Sequence, residues 1–426
     1  MKVTVIGAGS TYTPELVSGL AQQHHRLPIQ ELVLMDTDGP RLEVVGGLAR
    51  RMLTAQGLPV KVRLTTSRSE ALDGADAVLI QLRVGGQKAR LGDETFPGEC
   101  GCLGQETTGA GGAAKALRTV PVILDIADEA RRRGAPGVRI IDFTNPVGIV
   151  TRSLLDAGHD NALGLCNFAI GVQRWAAGAL GVAADRVAVD PVGLNHFSWV
   201  RRVLLDGEDV LPRMLDQHMD KIVERYGFPA DLLGDLGAIP SYYLRYYYFH
   251  DQVVAEQREQ PPRAQVVADV ERTLLEMYAD ESLTERPALL EKRGGAYYSE
   301  AAVALLAAAV TDSGETHVVN VRNNGTIAGL ADDDVIEVPC RIDAAGATPL
   351  PQAPLPDEMR GPVQAVTAYE RLISRAAVTG EERLLRKALL THPLIGQYPL
   401  VQGLVPRLLS TGAEHLTRFS GVRNGV

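Results

Sequence analysis

The stretch KVTVIGAGS, residues 2–10, opens the chain with a short apolar strand that runs directly into a glycine-rich turn. Thr13 and Pro14 come next, and these residue types favour the N-cap and the first position of a helix. A strand, a glycine turn and a helix in this order suit a pyrophosphate, because glycine lets the phosphates approach the backbone and the helix amides stabilise their charge. We therefore predict a dinucleotide site whose cofactor-binding residues are Gly7, Gly9, Ser10 and Thr11.

Asp36 closes the second predicted strand, where its carboxylate can accept a hydrogen bond from the 2′-hydroxyl of a ribose. The glycine pattern departs from the usual one, since Tyr12 stands at the place of the third glycine. The alternative is a glycine turn that serves only the close packing of a helix on a strand. The position of the turn after the first strand, with the acid in register, favours dinucleotide binding.

Short apolar runs alternate with helical patterns in the first half of the chain. The runs are continuously apolar, which is typical of strands that are covered on both faces. The predicted strands are Lys2–Ile6, Glu31–Asp36, Val60–Thr65, Ala77–Leu82, Val138–Phe143 and Ala162–Cys166, and the predicted helices are Pro14–Gln23, Pro40–Gln56, Ala113–Arg133 and Val147–Asp156. This order predicts an α/β fold with a Rossmann-type, doubly wound parallel sheet.

The pattern changes beyond about Asp190, where long helical stretches follow two strands of a more mixed sheet. We predict strands at Val187–Val192 and Trp199–Leu205, helices at Met214–Tyr226, Ser241–Gln257, Arg263–Asp280, Ser299–Thr311 and Gly361–Leu390, and a strand pair at Thr316–Val321 and Asp334–Pro339. The Ala- and Pro-rich stretch Ala344–Pro356 is predicted to cross the surface. We expect a dinucleotide-binding domain over residues 1–190 and an α+β substrate and metal domain, packed on the first, over residues 191–426.

The composition excludes several classes of protein. The 426 residues include 43 Lys and Arg against 52 Asp and Glu, a formal charge of −9 without a basic block, so no nucleic-acid partner is expected. The longest apolar run extends only from Ala301 to Val310, whereas a membrane-spanning helix needs about 20 residues. The first strand leaves no room for a signal peptide, and four cysteines are too few for a disulfide framework. We expect a cytoplasmic protein that does not bind a membrane.

Polar residues follow three of the predicted strands in the first half. They are Gln81 and Arg83, then Thr144 and Asn145, then Cys166 and Asn167. Because ligands of parallel sheets bind outside the carboxyl ends of the strands, these residues are candidates for the site. Taken singly, each is better explained as a polar residue at a strand end that reaches the surface.

Cys166 and His196 form the candidate metal pair. A thiolate and an imidazole suit a divalent transition metal, and two protein ligands leave positions open for substrate and water. The alternative is a small buried cysteine and a hydrogen-bonded structural histidine. The spacing of the two residues does not decide between these interpretations.

Tyrosines crowd the stretch 242–248, at Tyr242, Tyr243, Tyr246, Tyr247 and Tyr248. In a helix, Tyr243, Tyr246 and Tyr247 would share one face. A tyrosine acts as a general base only if a metal or a nearby arginine lowers its pKa from about 10. The alternative for most of the five is an aromatic core or a subunit interface.

Several strings along the chain resemble glycoside hydrolase family 4. They are GAGSTYTPEL at 7–16, RVGG at 83–86, GQETTG at 104–109, TNP at 144–146, GLNH at 193–196, GGAYYS at 294–299, NNG at 323–325 and VIEVP at 335–339. The resemblance extends in order over nearly the whole chain. It implies an enzyme that uses NAD and a divalent metal, typically Mn²⁺, on a Rossmann-type fold with a C-terminal domain like that of lactate and malate dehydrogenases.

The resemblance also implies the reaction and the roles of individual residues. The sugar is oxidised at carbon 3, a base removes the proton at carbon 2, the aglycone leaves, water adds, and carbon 3 is reduced again. Cys166 and His196 would be the metal ligands and Tyr243 the base, with Tyr242 as the alternative if the register slips by one. The predicted cofactor contacts include Arg83, and the predicted sugar or phosphate contacts are Arg90, Asn145, Asn167 and Arg263.

The pair Cys166-Asn167, in which Asn follows the candidate metal cysteine, resembles the pattern of the 6-phospho-β-glucosidase branch of the family. We therefore expect a phosphorylated disaccharide or aryl glucoside as substrate and a homodimer or homotetramer. The alternatives are a 6-phospho-α-glucoside or an unphosphorylated sugar, an NAD-dependent dehydrogenase of the malate or lactate type, and a non-catalytic binder. For each arginine the alternative is a surface ion pair.

Overall fold

The computed structural model describes residues 1–294 and 297–419. The strands are β1 (Lys2–Ile6), β2 (Glu31–Met35), β3 (Lys61–Thr65), β4 (Ala77–Ile80), β5 (Arg139–Asp142), β6 (Ala162–Gly164), β7 (Val187–Leu194), β8 (Phe197–Leu205), β9 (Glu208–Asp209), β10 (Ile239–Pro240), β11 (Thr316–Arg322), β12 (Val335–Asp343) and β13 (Gly346–Pro349).

The helices of the first half lie between these strands. They are α1 (Thr13–Gln22), α2 (Gly39–Ala55), α3 (Arg68–Leu72), α4 (Gly86–Thr95), α5 (Gly109–Arg133), α6 (Val147–Asp156) and α7 (Phe168–Leu180). The helices of the second half are α8 (Leu211–Gln217), α9 (Met219–Tyr226), α10 (Ala230–Leu236), α11 (Arg245–Tyr248), α12 (His250–Glu259), α13 (Arg263–Tyr278), α14 (Leu290–Arg293), α15 (Tyr298–Thr311), α16 (Asp357–Thr379), α17 (Glu382–Thr391) and α18 (Tyr398–Ser410). Short 3₁₀ helices occupy Phe96–Cys100, Ala184–Arg186, Tyr242–Leu244 and Ala413–His415.

The larger sheet has the order β13-β12-β11-β6-β5-β4-β1-β2-β3. Its first six strands in the sequence run parallel, with β1 between β2 and β4. On β1, Val5 belongs to the hydrophobic cluster on one face of the sheet, whereas its neighbour Ile6 belongs to the cluster on the other face. Helices cover both faces, as the continuously apolar strands indicated. The prediction of a Rossmann-type, doubly wound sheet is confirmed.

The predicted strand pair of the second half extends this sheet. Asn320 on β11 pairs antiparallel with Gly164 on β6, and β12 and β13 continue the sheet outward. The stretch Ala344–Pro356, which was predicted to cross the surface, contains the edge strand β13. Pro349 ends this strand at the edge of the sheet, where the missing amide costs no interior hydrogen bond.

A smaller antiparallel sheet, with the order β10-β8-β7 and β9 beside β8, follows the parallel strands. The predicted helix Met214–Tyr226 is two helices that meet at His218, and the predicted helix Ser241–Gln257 is a 3₁₀ turn followed by α11 and α12, with a break at Phe249. Consecutive aromatic residues lose rotamer freedom in a helix, and here tertiary packing of the rings decides the backbone. Tyr243 therefore lies on a 3₁₀ turn. No helix in the described part of the chain is long and apolar enough to cross a bilayer.

The side chain of Glu370 is buried on α16, where that helix packs against α5 and α6. Burial, followed by the carboxylates of Asp334 and Glu337, raises the pKa of Glu370 to about 8 against the opposing charge of Arg152. In the unfolded chain the same group has a pKa of about 4.3. The folded protein therefore binds one more proton than the unfolded chain between these two values.

Because of this extra proton, the contribution of Glu370 to the free energy of unfolding is expected to fall as the pH rises from about 5 to 8. Glu370→Gln should remove about 2–4 kcal/mol of that fall, since the amide does not ionise. Urea unfolding at both pH values measures it, and Glu358→Gln, exposed on the same helix, is the control. An equal pH dependence in Glu370→Gln and the unaltered protein would contradict the assignment.

Candidate active site

A cleft with a volume of about 1410 Å³ opens along the carboxyl ends of the parallel strands. This is the edge at which ligands bind in doubly wound sheets. The predicted site residues that line it are Gly7, Gly9, Ser10, Asp36, Arg83, Arg90, Asn145, Asn167, Tyr243 and Arg263. The structure thus brings together residues that follow β1, β2, β4, β5 and β6 with residues of the second half.

The glycine turn lies directly against Asp36. The amide of Gly9 donates to Asp36 Oδ2 at 2.8 Å, and a Cβ atom at Gly9 would lie 2.8 Å from the same oxygen. Gly7 has a φ of +85°, and a Cβ there would lie 2.9 Å from the carbonyl oxygen of Gln81. Position 7 therefore requires glycine, and a side chain at Gly9 would displace the carboxylate of Asp36. Thr11 is buried and does not line the cleft, and its hydroxyl donates to Oε1 of Glu271, a cleft-lining residue, at 3.3 Å.

Cys166 and His196 are buried and do not line the cleft, whereas Tyr243, which stacks on His196, does. Cys166 follows β6, and His196 occupies the tight turn between β7 and β8, with a φ of +61°. The ring of Tyr243 stacks on the imidazole of His196, with centroids 3.5 Å apart and planes 8° apart. His196 Nδ1 contacts Thr107 Oγ1 at 3.0 Å, and within the described residues its buried Nε2 has no hydrogen-bond partner.

The protonation of this pair fits a metal site. Burial, and then the charge of Glu337, raise the pKa of Cys166 to about 12. Burial, and then the charge of Lys115, lower the pKa of His196 to about 3. The imidazole is therefore neutral, which is the form that binds metals, and the thiol becomes a thiolate only beside a cation.

A thiolate and an imidazole nitrogen without a hydrogen-bond partner in the part of the chain that the structure describes form a donor set that suits a divalent transition metal. Over residues 1–294 and 297–419, no group of three or more His, Cys, Asp or Glu side chains is placed to hold a metal. A metal on Cys166 and His196 would therefore have coordination positions left for substrate oxygens and water.

The geometry distinguishes Tyr243 from Tyr242. Tyr242 is 46% exposed, and its hydroxyl accepts a hydrogen bond from Arg245 Nη1 at 2.9 Å. Tyr243 lines the cleft beside the metal pair. Burial, and then the charge of Cys166, raise the pKa of Tyr243 well above its ordinary value, and the cation of Arg90 opposes this rise. Positive charge next to the phenol is thus the condition for its action as a base.

The predicted substrate contacts reach the cleft from both halves of the chain. Asn145 has a buried Oδ1 without a hydrogen-bond partner in the described residues. Arg263, at the start of α13, donates from Nη2 to the carbonyl oxygens of Lys292 at 2.9 Å and Arg293 at 3.3 Å. These bonds fix one side of its guanidinium at the wall of the cleft. Arg90 donates from Nε to Glu94 Oε1 at 2.7 Å.

Comparison with known proteins places the chain in a family. A model described as family 4 glycosyl hydrolase matches residues 2–182, and one for the C-terminal domain of family 4 glycosyl hydrolases matches residues 191–395. The chain belongs to glycoside hydrolase family 4. This family 4 chain is 39% identical to a probable 6-phospho-beta-glucosidase of Bacillus subtilis, covering 98% of each chain, and 37% identical to the 6-phospho-beta-glucosidase of Escherichia coli, covering 93% of this chain and 91% of the other.

Solved structures agree with the family. The 6-phospho-beta glucosidase of Thermotoga maritima with manganese, NAD⁺ and glucose-6-phosphate superposes with a TM-score of 0.91 at 33% identity, over 97% of this chain and 99% of the other. Malate dehydrogenase of Plasmodium falciparum has a TM-score of 0.56 at 14% identity, over 89% of this chain and 98% of the other, which shows a shared fold only. The resemblance to the 6-phospho-β-glucosidase branch, inferred from the sequence, is confirmed.

A buried charge cluster of the family 4 chain was not assigned from the sequence. Glu106 Oε2 accepts from Lys115 Nζ at 2.6 Å and from Arg83, and Glu106 Oε1 lies 3.1 Å from Arg90 Nε. Burial alone would raise the pKa of Glu106, but the three cations hold it well below its ordinary value. Burial, and then Arg83, lower the pKa of Lys115 to about 7. The carboxylate orients two predicted ligand-binding arginines.

Thr107 and Tyr298 are two further site residues that sequence reasoning did not assign. Thr107 contacts the imidazole of His196, and Tyr298 lines the cleft. Both lie in strings that carry the family resemblance, GQETTG and GGAYYS, and this was the available signal. For Lys115 the signal in the sequence was weaker, namely a lysine within the Gly- and Ala-rich start of α5.

Proposed function

We propose that this chain hydrolyses 6-phospho-β-glucosides with NAD⁺ and a divalent metal, Mn²⁺ or a related ion. The observation that carries the proposal is the meeting of Cys166, His196 and Tyr243 at the ligand-binding edge of a dinucleotide-binding sheet. The relatives named 6-phospho-beta-glucosidase support the substrate class. A dehydrogenase that acts only by hydride transfer has no use for this thiolate.

When bound, NAD⁺ would supply a hydride acceptor and the metal would supply positive charge that stabilises negative charge developing on the sugar. Cys166 and His196 would hold the metal. The pyrophosphate would contact the glycine turn, that is Gly7, Gly9, Ser10 and the backbone of Thr11. Arg83 would contact the cofactor near the sugar. Asp36, which already accepts from Gly9, would accept from a ribose hydroxyl.

Tyr243 would remove the proton from carbon 2 once carbon 3 is a ketone, because the ketone acidifies that proton. The phenol is poorly acidic in its buried position, so Arg90 and the metal charge must favour the phenolate. Loss of the aglycone from carbon 1 then leaves an unsaturated ketone, to which water adds. The hydride removed from carbon 3 returns there at the end, so the net reaction is hydrolysis without net oxidation.

Arg90 and Arg263 would bind the 6-phosphate, and Asn145 and Asn167 the sugar hydroxyls. Residues 1–190 would provide the cofactor side of the cleft and residues 191–426 the substrate and metal side. We further propose a cytoplasmic homodimer or homotetramer without a nucleic-acid or membrane partner.

The decisive experiment is hydrolysis of a chromogenic 6-phospho-β-glucoside, with NAD⁺ and Mn²⁺ supplied together, singly or not at all. Activity is expected only with both, and in D₂O the product should contain deuterium at carbon 2. The 6-phospho-α-glucoside and the unphosphorylated glucoside are the control substrates. Hydrolysis that persists after chelation and after removal of NAD⁺ would reject the mechanism, and faster turnover of a control substrate would reject the substrate class.

Gly9→Ala is expected to weaken NAD⁺ binding by about tenfold or more, because the methyl group would displace Asp36 and break a hydrogen bond to a charged group. Fluorescence titration with NADH measures the affinity without substrate or metal. The matched control is Gly178→Ala on α7, where a Cβ has no atom within 4 Å. Equal affinity in Gly9→Ala and Gly178→Ala would show that the turn does not hold the cofactor.

A further inference from the structure

The hydroxyl of Tyr298 joins two parts of the site that come from different strands. It donates to Cys166 Sγ at 3.9 Å, and it also forms a hydrogen bond with the side chain of Asn145. Cys166 follows β6 and Asn145 follows β5, whereas Tyr298 begins α15 in the second half of the chain. A single phenol thus contacts a proposed metal ligand and a proposed sugar contact.

The ring of Tyr298 is fixed in this place. It packs against Phe143 with centroids 6.1 Å apart and planes 25° apart, and one face of the side chain lines the cleft. The backbone before it is held as well, because the amide of Tyr297 donates to Glu15 Oε1 at 3.0 Å. A tyrosine that served only the core would bury its ring and direct its hydroxyl to solvent or to a backbone carbonyl. Here the hydroxyl meets the buried sulfur of Cys166 and the side chain of Asn145, which lines the cleft.

We propose that Tyr298 is a positioning residue for the metal thiolate, which it orients through its O–H···S hydrogen bond while it ties Cys166 to Asn145. The proposal rests on the proposed function, since it needs a metal on Cys166. Residues that hydrogen-bond metal ligands fix the direction of the donor atom, and their loss typically weakens metal binding 10- to 100-fold. Because Asn145 shares the phenol, the sulfur and the sugar-binding amide would keep a constant separation.

The test is titration of the metal-free protein with Co²⁺ alone, followed by the absorbance of the charge transfer from thiolate to cobalt. In Tyr298→Phe, which removes only the hydroxyl, we expect Co²⁺ binding to weaken by roughly 10- to 100-fold and the charge-transfer band to shift, since the sulfur loses its hydrogen-bond donor. Tyr297→Phe is the matched control, because it removes the hydroxyl of the adjacent, exposed tyrosine. That variant should titrate like the unaltered protein.

The outcomes separate this proposal from the proposed function. A cobalt-thiolate band with the same affinity and position in Tyr298→Phe and the unaltered protein would overturn the role of Tyr298 and leave the metal site intact. Absence of the band from the unaltered protein would overturn both. Thermal unfolding of the metal-free variants checks their fold. If Tyr298→Phe does not fold, Asn145→Ala tests the same bridge from its other end, and an unchanged titration there overturns the proposal.

Discussion

Cys166→Ser is expected to lower Mn²⁺ affinity by about 100-fold or more and to abolish hydrolysis at ordinary metal concentrations. Removal of a metal ligand should weaken metal binding more than removal of a residue that hydrogen-bonds a ligand, which typically costs 10- to 100-fold in affinity. A serine hydroxyl stays protonated at neutral pH and brings no negative charge to the ion, so His196 would be left as the main protein ligand. Calorimetric titration with Mn²⁺ and hydrolysis rates over a range of Mn²⁺ concentrations measure the effect.

Cys100→Ser is the matched control for this prediction, because Cys100 is a free cysteine on the 3₁₀ helix Phe96–Cys100, outside the cleft lining. It should bind metal and hydrolyse substrate like the unaltered protein. NADH binding should survive in both variants, since the glycine turn does not contact the thiol. If Cys166→Ser retained full Mn²⁺ affinity, the metal would have to lie elsewhere.

Tyr243→Phe is expected to lower kcat by about 10²–10⁴-fold, the usual contribution of a general base, with a small change in KM. The ring would still stack on His196, so the metal pair should stay in place. Oxidation at carbon 3 does not need this phenol, whereas removal of the carbon 2 proton does. The absorbance of NADH should therefore appear on mixing with substrate and persist, while release of the aglycone and deuterium incorporation slow together.

Tyr242→Phe supplies the control, because it removes a hydroxyl from the neighbouring residue at the surface. Near-normal kcat is expected there. A severe loss of activity in Tyr242→Phe, with Tyr243→Phe unimpaired, would reverse the assignment of the base. An equal, mild loss in both would indicate that another group removes the proton.

The parallel strands were predictable because most of them are apolar runs between turn residues, covered on both faces, although β3 alternates charged and apolar residues and is only half-buried. The breaks at His218 and Phe249 were not predictable from helical periodicity, and at Phe249 the aromatic ring packs against Phe228. The pairing of β11 with β6 was not predictable from any local pattern, because strands far apart in the sequence are brought together only by the tertiary structure. The predicted domain boundary at about residue 190 separates β6 from β11 in the sequence, although the two strands are neighbours in one sheet.

The site was predictable where residues stand at strand ends or in family strings. Asp36, Asn145 and Tyr243 could be placed in this way, and the cleft contains them. Glu106 and Tyr298 could not be given roles, because each acts through a partner distant in sequence. Lys115 could not be predicted to be buried either, because a lysine in a helix usually lies at the surface. Its burial becomes understandable only from its ion pair with Glu106.

The antiparallel strands that continue the large sheet past β6 have a consequence for any attempt to divide the protein. If residues 1–190 were expressed alone, β6 would become an exposed edge strand of the sheet. Its unpaired backbone N–H and C=O groups could then pair with a strand of another chain. Residues 1–190 alone are thus expected to associate more readily through this edge than the full chain does. The pairing of this last parallel strand is completed only after more than a hundred further residues have been synthesised, so assembly must wait for the far half of the polypeptide.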